Sequence, residues 1–306
     1  MELLPWINPL LLIKRYLNCN PNAIDYLIDN KITLDYDMLA SNPGAYSLLS
    51  KRTFSSIDYN YLITNPHPSV YRIINEIHSH KSNVWLYQYS DYCESLSRRY
   101  DVLKILSKDE LNLYGICRNR NPIVLNYILE HIDVLTLQHW TILSSNPTAI
   151  DILLDNIDKI DWYILAINPC EKAIELLTIY KHKIDWSNLS SNYYAVDLLL
   201  ENPDKIDWEE FSFNRNPKAI QYMKLHPNKL NWYYISGNPA AIEILEENQH
   251  KICWTQFSTN PSIFQYNYQP MAIERTNQIR EELLQVVLHP SRISYWLANG
   301  MSISDL

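Results

Sequence analysis

Six tryptophans stand in register: Trp140, Trp162, Trp186, Trp208, Trp232 and Trp254 follow one another at intervals of 22, 24, 22, 24 and 22 residues. Self-similarity at such a period is the mark of a repeat architecture, in which each unit is one supersecondary element that cannot bury its apolar face alone. Around each tryptophan the same phrase recurs. It runs Asn-Pro-x-Ala-Ile-x-x-Leu-Leu, then a short polar stretch, then Lys-Ile-Asp-Trp-x-x-Leu-Ser-x before the next Asn-Pro. Asn146-Pro147-Thr148-Ala149-Ile150 leads to Lys159-Ile160-Asp161-Trp162, and Asn216-Pro217-Lys218-Ala219-Ile220 leads to Lys229-Leu230-Asn231-Trp232. Earlier copies carry Tyr for Trp: Asn20-Pro21 with Leu34-Asp35-Tyr36, and Asn42-Pro43 with Ile57-Asp58-Tyr59.

Elementary chemistry turns this phrase into two helices. Asn accepts a hydrogen bond from a free first-turn N–H, and Pro at the next position has no N–H to leave unsatisfied. Asn-Pro therefore starts a helix of about ten residues, with Ala, Ile, Leu and Leu at i, i+1, i+4 and i+5 on one buried face. In Ile-Asp-Trp-x-x-Leu the Asp caps a second helix, and the preceding Ile packs as a staple on the fourth residue, as in Ile206, Asp207 and Phe211. Neither helix is long enough to stand alone in water, so the units must stack. The predicted fold is all-α: an α-solenoid of about 10–11 two-helix repeats of 22–24 residues with N- and C-terminal helical caps, a rod or arc on the order of 100 Å long at ordinary helix spacing.

One domain is expected over residues 1–306. Residues 1–19 form the N-terminal cap, 20–269 the repeats, and 270–306 the C-terminal cap, with helices over Glu274 to Leu288 and around Arg292 to Asn299. Residues 66–120 read as two diverged, longer units: Val84-Trp85 and Leu111 to Leu113 hold the aromatic slot, and Asp91-Tyr92 stands where Asn-Pro belongs. Two-residue insertions at Cys170-Glu171-Lys172 and Arg215-Asn216 should widen a loop and spare the core.

Composition narrows the function. With 47% hydrophobic residues and nine Trp the chain is too apolar to be disordered. A net charge of −8 argues against general phosphate-backbone binding, so no nucleic-acid partner is expected; Lys14-Arg15, Lys51-Arg52, Arg98-Arg99, Arg118 and Arg120 read as a solvated face. Cys19, Cys93, Cys117, Cys170 and Cys253 form no C-x-x-C pair and read as reduced thiols. No stretch spans a bilayer, and Glu2 with Lys14-Arg15 around a short apolar run argues against a signal peptide.

Chemistry is sought and not found. The four glycines, Gly44, Gly115, Gly237 and Gly300, form no phosphate loop, and there is no nucleophile elbow and no H-E-x-x-H. His78 and His80 are not spaced for one face of a helix. The repeated Asp161, Asp185 and Asp207 suggest a carboxylate ladder, but Asn231 and Cys253 take the same slot, which suits a cap and not a ligand set. No catalytic residue, metal or cofactor is expected. The tryptophans are read as packing groups and not as base-stacking platforms. The two positions after each tryptophan vary freely, and there a protein partner would be read: Tyr163 and Ile164, Ser187 and Asn188, Glu209 and Glu210, Tyr233 and Tyr234, Thr255 and Gln256. Tyr233 and Tyr234 stand out, because exposed aromatics supply contact energy at low entropic cost.

The phrase, with the closing pattern Glu281-Glu282-Leu283-Leu284, His289-Pro290-Ser291-Arg292-Ile293, Trp296-Leu297 and Gly300, resembles repeat arrays abundant in large DNA viruses of protists and algae. The resemblance covers nearly the whole chain and departs from it most over 66–120. It implies a viral protein. The expected role is a non-enzymatic scaffold binding a host or viral protein in the host cytoplasm; the alternatives are a virion structural component and, third, a repeat-based nucleic-acid binder.

Overall fold

Five Asn-Pro pairs of the repeat phrase, and the Asp-Trp pairs from Asp161 to Asp207, open a turn of helix by the expected side-chain bond; Asn168-Pro169 does not. In the computed structural model, which describes residues 1–51, 61–62, 64–74, 111–266 and 268–300, Asn42, Asn146, Asn216, Asn238 and Asn260 each accept from the N–H two residues on, at 2.9–3.1 Å. Asp161, Asp185 and Asp207 cap the second helices, accepting from Ile164, Asn188 and Glu210 at 3.2, 2.8 and 3.3 Å. The secondary structure is overwhelmingly helical; the one described sheet is a two-residue pairing of Glu2–Leu3 with Phe264–Gln265.

The first helix differs from expectation in a regular way. In 22-residue units it is not one helix of about ten residues. Asn-Pro opens a 3-10 turn, Pro147–Ala149 or Pro239–Ala241, which passes into a short α-helix, Ile150–Leu154 or Ile242–Glu247. In the two 24-residue units it is a continuous nine-residue helix, Glu171–Ile179 or Pro217–Leu225. A second 3-10 turn such as Ile157–Lys159 or Gln249–Lys251 then leads to the helix that begins at tryptophan.

The core follows the phrase. Ala23, Ala45, Ala149, Ala173, Ala195, Ala219 and Ala241, at the Ala of Asn-Pro-x-Ala or its equivalent, are wholly buried. So are Leu27, Leu49, Leu153, Leu177, Leu199, Met223 and Leu245 four residues on, and Leu143, Leu165, Leu189, Phe211, Ile235 and Phe257 on the second helices. Ile206 lies buried one residue before its Asp207 cap, where a staple on Phe211 belongs.

By its contacts the chain divides into two compact units, residues 3–264 and residues 1–2 with 265–306, where the sequence reading runs a single domain. The second contains helices Gln269–Val287 and Pro290–Ala298, the latter capped by His289 accepting from the Ser291 N–H. None of their described side chains is buried. The diverged stretch is described only at its edges. At its far edge Asn112 caps Leu113–Ile116 by accepting from the Gly115 N–H at 3.0 Å, so Leu113 does take the tryptophan slot. The readings at Ile57 to Tyr59, His78, His80, Val84-Trp85, Asp91-Tyr92, Cys93 and Arg98-Arg99 lie outside the described residues.

Candidate partner-binding surface

The candidate surface rests on a hydrogen-bond register between units, and that register is the work of one asparagine per unit. In the 22-residue units the Oδ1 atom caps its own helix, as the sequence suggests, while the Nδ2 group reaches back to two carbonyls of the preceding unit. Asn192 donates to Ala166 O and Asn168 O, both at 2.8 Å; Asn214 to Ser190 O and Asn192 O at 3.1 and 2.9 Å; Asn238 to Ser212 O and Asn214 O at 3.1 and 2.8 Å. Asn260, Asn146, Asn65 and Asn42 repeat the pattern. These amides are buried to 5% exposure or less, so each bond also satisfies a backbone acceptor that has lost its water.

A serine supplies a second link. Ser190, Ser212 and Ser236, four residues after each tryptophan, donate to the tryptophan carbonyl and accept from the N–H of Asp207, Asn231 and Cys253 in the following unit, at 3.0, 3.0 and 2.9 Å. Cys253 therefore keeps the backbone bond of the slot and lacks only the cap.

The 24-residue units show what the insertions do. There the ladder asparagine and the helix cap are separate residues, Asn214 with Asn216, and Asn168 with Cys170. The two extra residues fall between ladder and helix, so the ladder holds its register. In the second case the cap is lost: Cys170 makes no side-chain cap bond, and the buried Asn168 Oδ1 has no hydrogen-bond partner.

Tryptophan packs between units. Trp208 meets Phe211, Tyr222 and His226 at ring separations of 5.6, 5.8 and 5.4 Å, and the Lys229 ammonium of the next unit sits 5.0 Å above it. Lys251 sits 4.7 Å over Trp232 in the same way. In these two units the lysine three residues before the tryptophan is thus a cation over the preceding unit's ring, whereas Lys159 and Lys205 pair with Asp158 and Asp204.

On this frame the ten variable residues take the second and third positions of the second helices. Tyr163, Ser187, Glu209 and Tyr233 are exposed; Ile164, Asn188, Glu210, Tyr234, Thr255 and Gln256 are half-buried. Several touch across units. Asn188 Nδ2 donates to Tyr163 O at 3.0 Å, Ser187 Oγ to Asp207 Oδ2 at 2.6 Å, and Gln256 Nε2 to the Tyr233 hydroxyl at 2.6 Å. Tyr234 packs tilted against Phe213, ring centres 4.2 Å apart, and its hydroxyl bonds to the Glu209 carboxylate, which holds the phenol proton more tightly than usual. Burial, and then the charges of Asp207 and Glu209, raise the Glu210 carboxyl above its ordinary value. Phe213, 42% exposed, joins the strip though sequence reasoning omits it; its place four residues, about one turn, after Glu209 was the available signal.

From Asp161 to Asn260 the second-helix stretches 161–168, 185–192, 207–214, 231–238 and 253–260 carry Asp161, Asp185, Asp207, Glu209 and Glu210, and no Lys or Arg. Among the described residues no group of three His, Cys, Asp or Glu could hold a metal ion, and no helix is long and apolar enough to cross a membrane. Cys117 is buried and its thiol is pushed up to about 12 by desolvation, which makes it a poor nucleophile at neutral pH. Comparison with family models, with curated proteins and with solved structures found no match in any of the three.

Proposed function

We propose that this chain is an α-solenoid of two-helix repeats acting as a non-enzymatic scaffold, which binds a protein partner along the edge of its second helices. The observation that carries the reading is the combination of a recurring frame with a variable strip. Buried asparagine and serine bonds recur from unit to unit, while the residues after each tryptophan change from Tyr163 to Ser187, Glu209, Tyr233 and Thr255. A frame of fixed register with side chains of free identity is what an extended recognition surface requires. The strip is aromatic and acidic, which favours a protein over a nucleic-acid backbone. The resemblance to arrays of large DNA viruses supports a viral protein whose partner is met in the host cytoplasm.

A photo-crosslinking amino acid at Tyr233, compared with one at Lys181 on a turn that precedes a second helix, tests the surface in infected cells. The strip position is expected to capture one discrete protein and the control position none. Equal capture from both, or none from either, removes the reading. Mass spectrometry of purified particles, with a capsid protein as internal reference, separates the alternative: a fixed ratio to capsid makes the chain a virion component.

A further inference from the structure

Residues at opposite ends of the 3–264 unit are joined by the bonds that otherwise join neighbours in sequence. Asn20 Nδ2 donates to Ser258 O and Asn260 O at 3.2 and 2.8 Å, as Asn260 itself donates to Ser236 O and Asn238 O at 3.0 and 3.1 Å. The Ile13 N–H donates to Ser258 Oγ at 2.8 Å, as the Cys253 N–H does to Ser236 Oγ at 2.9 Å. Asn22 Nδ2 donates to Pro261 O at 3.0 Å, the bond that Asn216 makes to Tyr193 O at 2.9 Å. Counting back seven residues from the ladder asparagine puts Ile13 in the slot of Asp207. Residues 13–19, expected to belong to an N-terminal cap, therefore take the register of a second helix, with the wholly buried Asn18 in the serine's place, accepting from the Asp35 N–H at 3.0 Å. Trp6 against Phe257 and Tyr26 against Phe264, at 5.7 and 5.5 Å, add apolar contact, and the Leu4 N–H bonds to Ile263 O at 3.0 Å.

This contact has a direction. Where the full pattern stands, as at Ser190, Ser212 and Ser236, a unit offers donors, the asparagine amide and a backbone N–H, on the side facing its predecessor, and acceptors, two carbonyls and a hydroxyl, on the side facing its successor; Ala40 and Ala166 hold the serine slot without a hydroxyl. Such a head-to-tail contact is heterologous: its two faces are different and complementary, and nothing in its chemistry records whether they belong to one chain. We propose that the acceptor face of the last unit, formed by the carbonyls of Ser258, Asn260 and Pro261 and the Ser258 hydroxyl, is an exchangeable docking surface. The first unit of the same chain fills it in the closed molecule, and the occupant that exchanges in is the first unit of a second copy. The tether holds the chain's own first unit at high effective concentration, so the closed monomer prevails in dilute solution. Once the contact opens in a concentrated solution, the partner is another molecule, and the product is a head-to-tail assembly.

The test refolds the full chain from denaturant at about 1 µM and about 500 µM, well below and near the millimolar effective concentration of a tethered segment. Size-exclusion chromatography with light scattering follows. A photo-crosslinking amino acid at Asn22 of a normal-isotope chain, refolded with an excess of uniformly heavy-isotope chain that lacks it, reports which copy fills the contact, because the Asn22 side chain lies against Pro261. Asn22 lies short of full burial, so the substitution keeps the core. The expected result is monomer from the dilute sample, crosslinked to the light peptide around Pro261, and dimers with higher species from the concentrated one, with crosslinks to the heavy peptide enriched at least several-fold. Monomer at both concentrations overturns the proposal. So do assemblies without heavy crosslinks at Pro261, since they would arise from a surface other than this one.

Discussion

At the scale of the residue, the asparagine of each unit does two jobs with one amide, and each can be removed separately. Asn192→Ala loses a cap and two donors, and it leaves the buried carbonyls of Ala166 and Asn168 short of a partner. At ~1–3 kcal/mol for a buried group left unsatisfied, a loss on the order of 3 kcal/mol is expected in urea denaturation. Asn168→Ala should cost less, because Asn168 donates to Ser144 O while its buried Oδ1 bonds to nothing. Equal losses at the two positions would refute this account of the ladder. Gly44 has a different reason for its identity: a Cβ there would stand 2.2 Å from the Pro21 carbonyl oxygen of the preceding unit. Gly44→Ala is expected to lower Tm although an exposed glycine-to-alanine change usually raises it. Glu210 sets a pH dependence. Its folded carboxyl titrates above its unfolded value, so it opposes folding once ionised, and that penalty disappears as pH falls through the raised value into the range where both states are protonated. Glu210→Gln should therefore raise Tm at pH 7, with a gain that shrinks towards low pH in a melting series.

At the scale of the element, the second helices are short and depend on their caps. Helix Trp186–Ser190 is five residues long, and Asp185 satisfies the Asn188 N–H at 2.8 Å. Cys253 stands in the same slot before Trp254–Thr259 and makes no cap bond. Cys253→Asp is predicted to stabilise the protein by about 1 kcal/mol, the usual worth of an N-cap, read as a shift in denaturation midpoint. An unchanged midpoint would mean that the Cys253 N–H bond to Ser236 already carries all that this slot contributes. The first helices show the reverse dependence on spacing. With 22 residues the ladder asparagine must also be the cap, and the chain enters through a 3-10 turn; with 24 the roles separate, and a nine-residue helix such as Pro217–Leu225 forms unbroken.

At the scale of the whole molecule, the contact between residues 13–22 and 258–261 changes what an end is. In an array with free ends a substitution in the first unit disturbs one neighbour, and terminal units are the least stable part. Here Asn20 donates to Ser258 and Asn260 as Asn42 donates to Asn18 and Asn20, so the first unit has partners on both sides. Asn20→Ala is expected to lower Tm by as much as Asn192→Ala does, within about 2 °C for two substitutions of similar energy in a chain of this length. A much smaller shift at position 20 would show that the contact adds little stability.

The amino-acid sequence alone determines the local half of this protein. Helix starts at Asn-Pro and Asp-Trp, the alanine and leucine core positions, and the all-α class can be read directly, because a cap and its N–H lie two or three residues apart and an apolar face repeats within one turn. The exposure of Tyr163, Ser187, Glu209 and Tyr233 was legible for the same reason: the tryptophan register fixes their phase on the helix. What only the tertiary structure decided is where the other half of each polar side chain goes. Asn192 looks like a cap from its neighbours in sequence, yet its amide finds carbonyls 24 and 26 residues away, and that of Asn20 finds them 238 and 240 residues away. Residues 13–19 keep only Leu17 in the core slot of the tryptophan phrase, with Ile13 and Lys14 in the slots of Asp and Trp, which is too little of the local pattern to mark them as part of a unit. Their place is set by the Ile13 N–H on the Ser258 hydroxyl and by the Asn20 amide on the carbonyls of Ser258 and Asn260, partners that lie too far along the chain for a local pattern to specify.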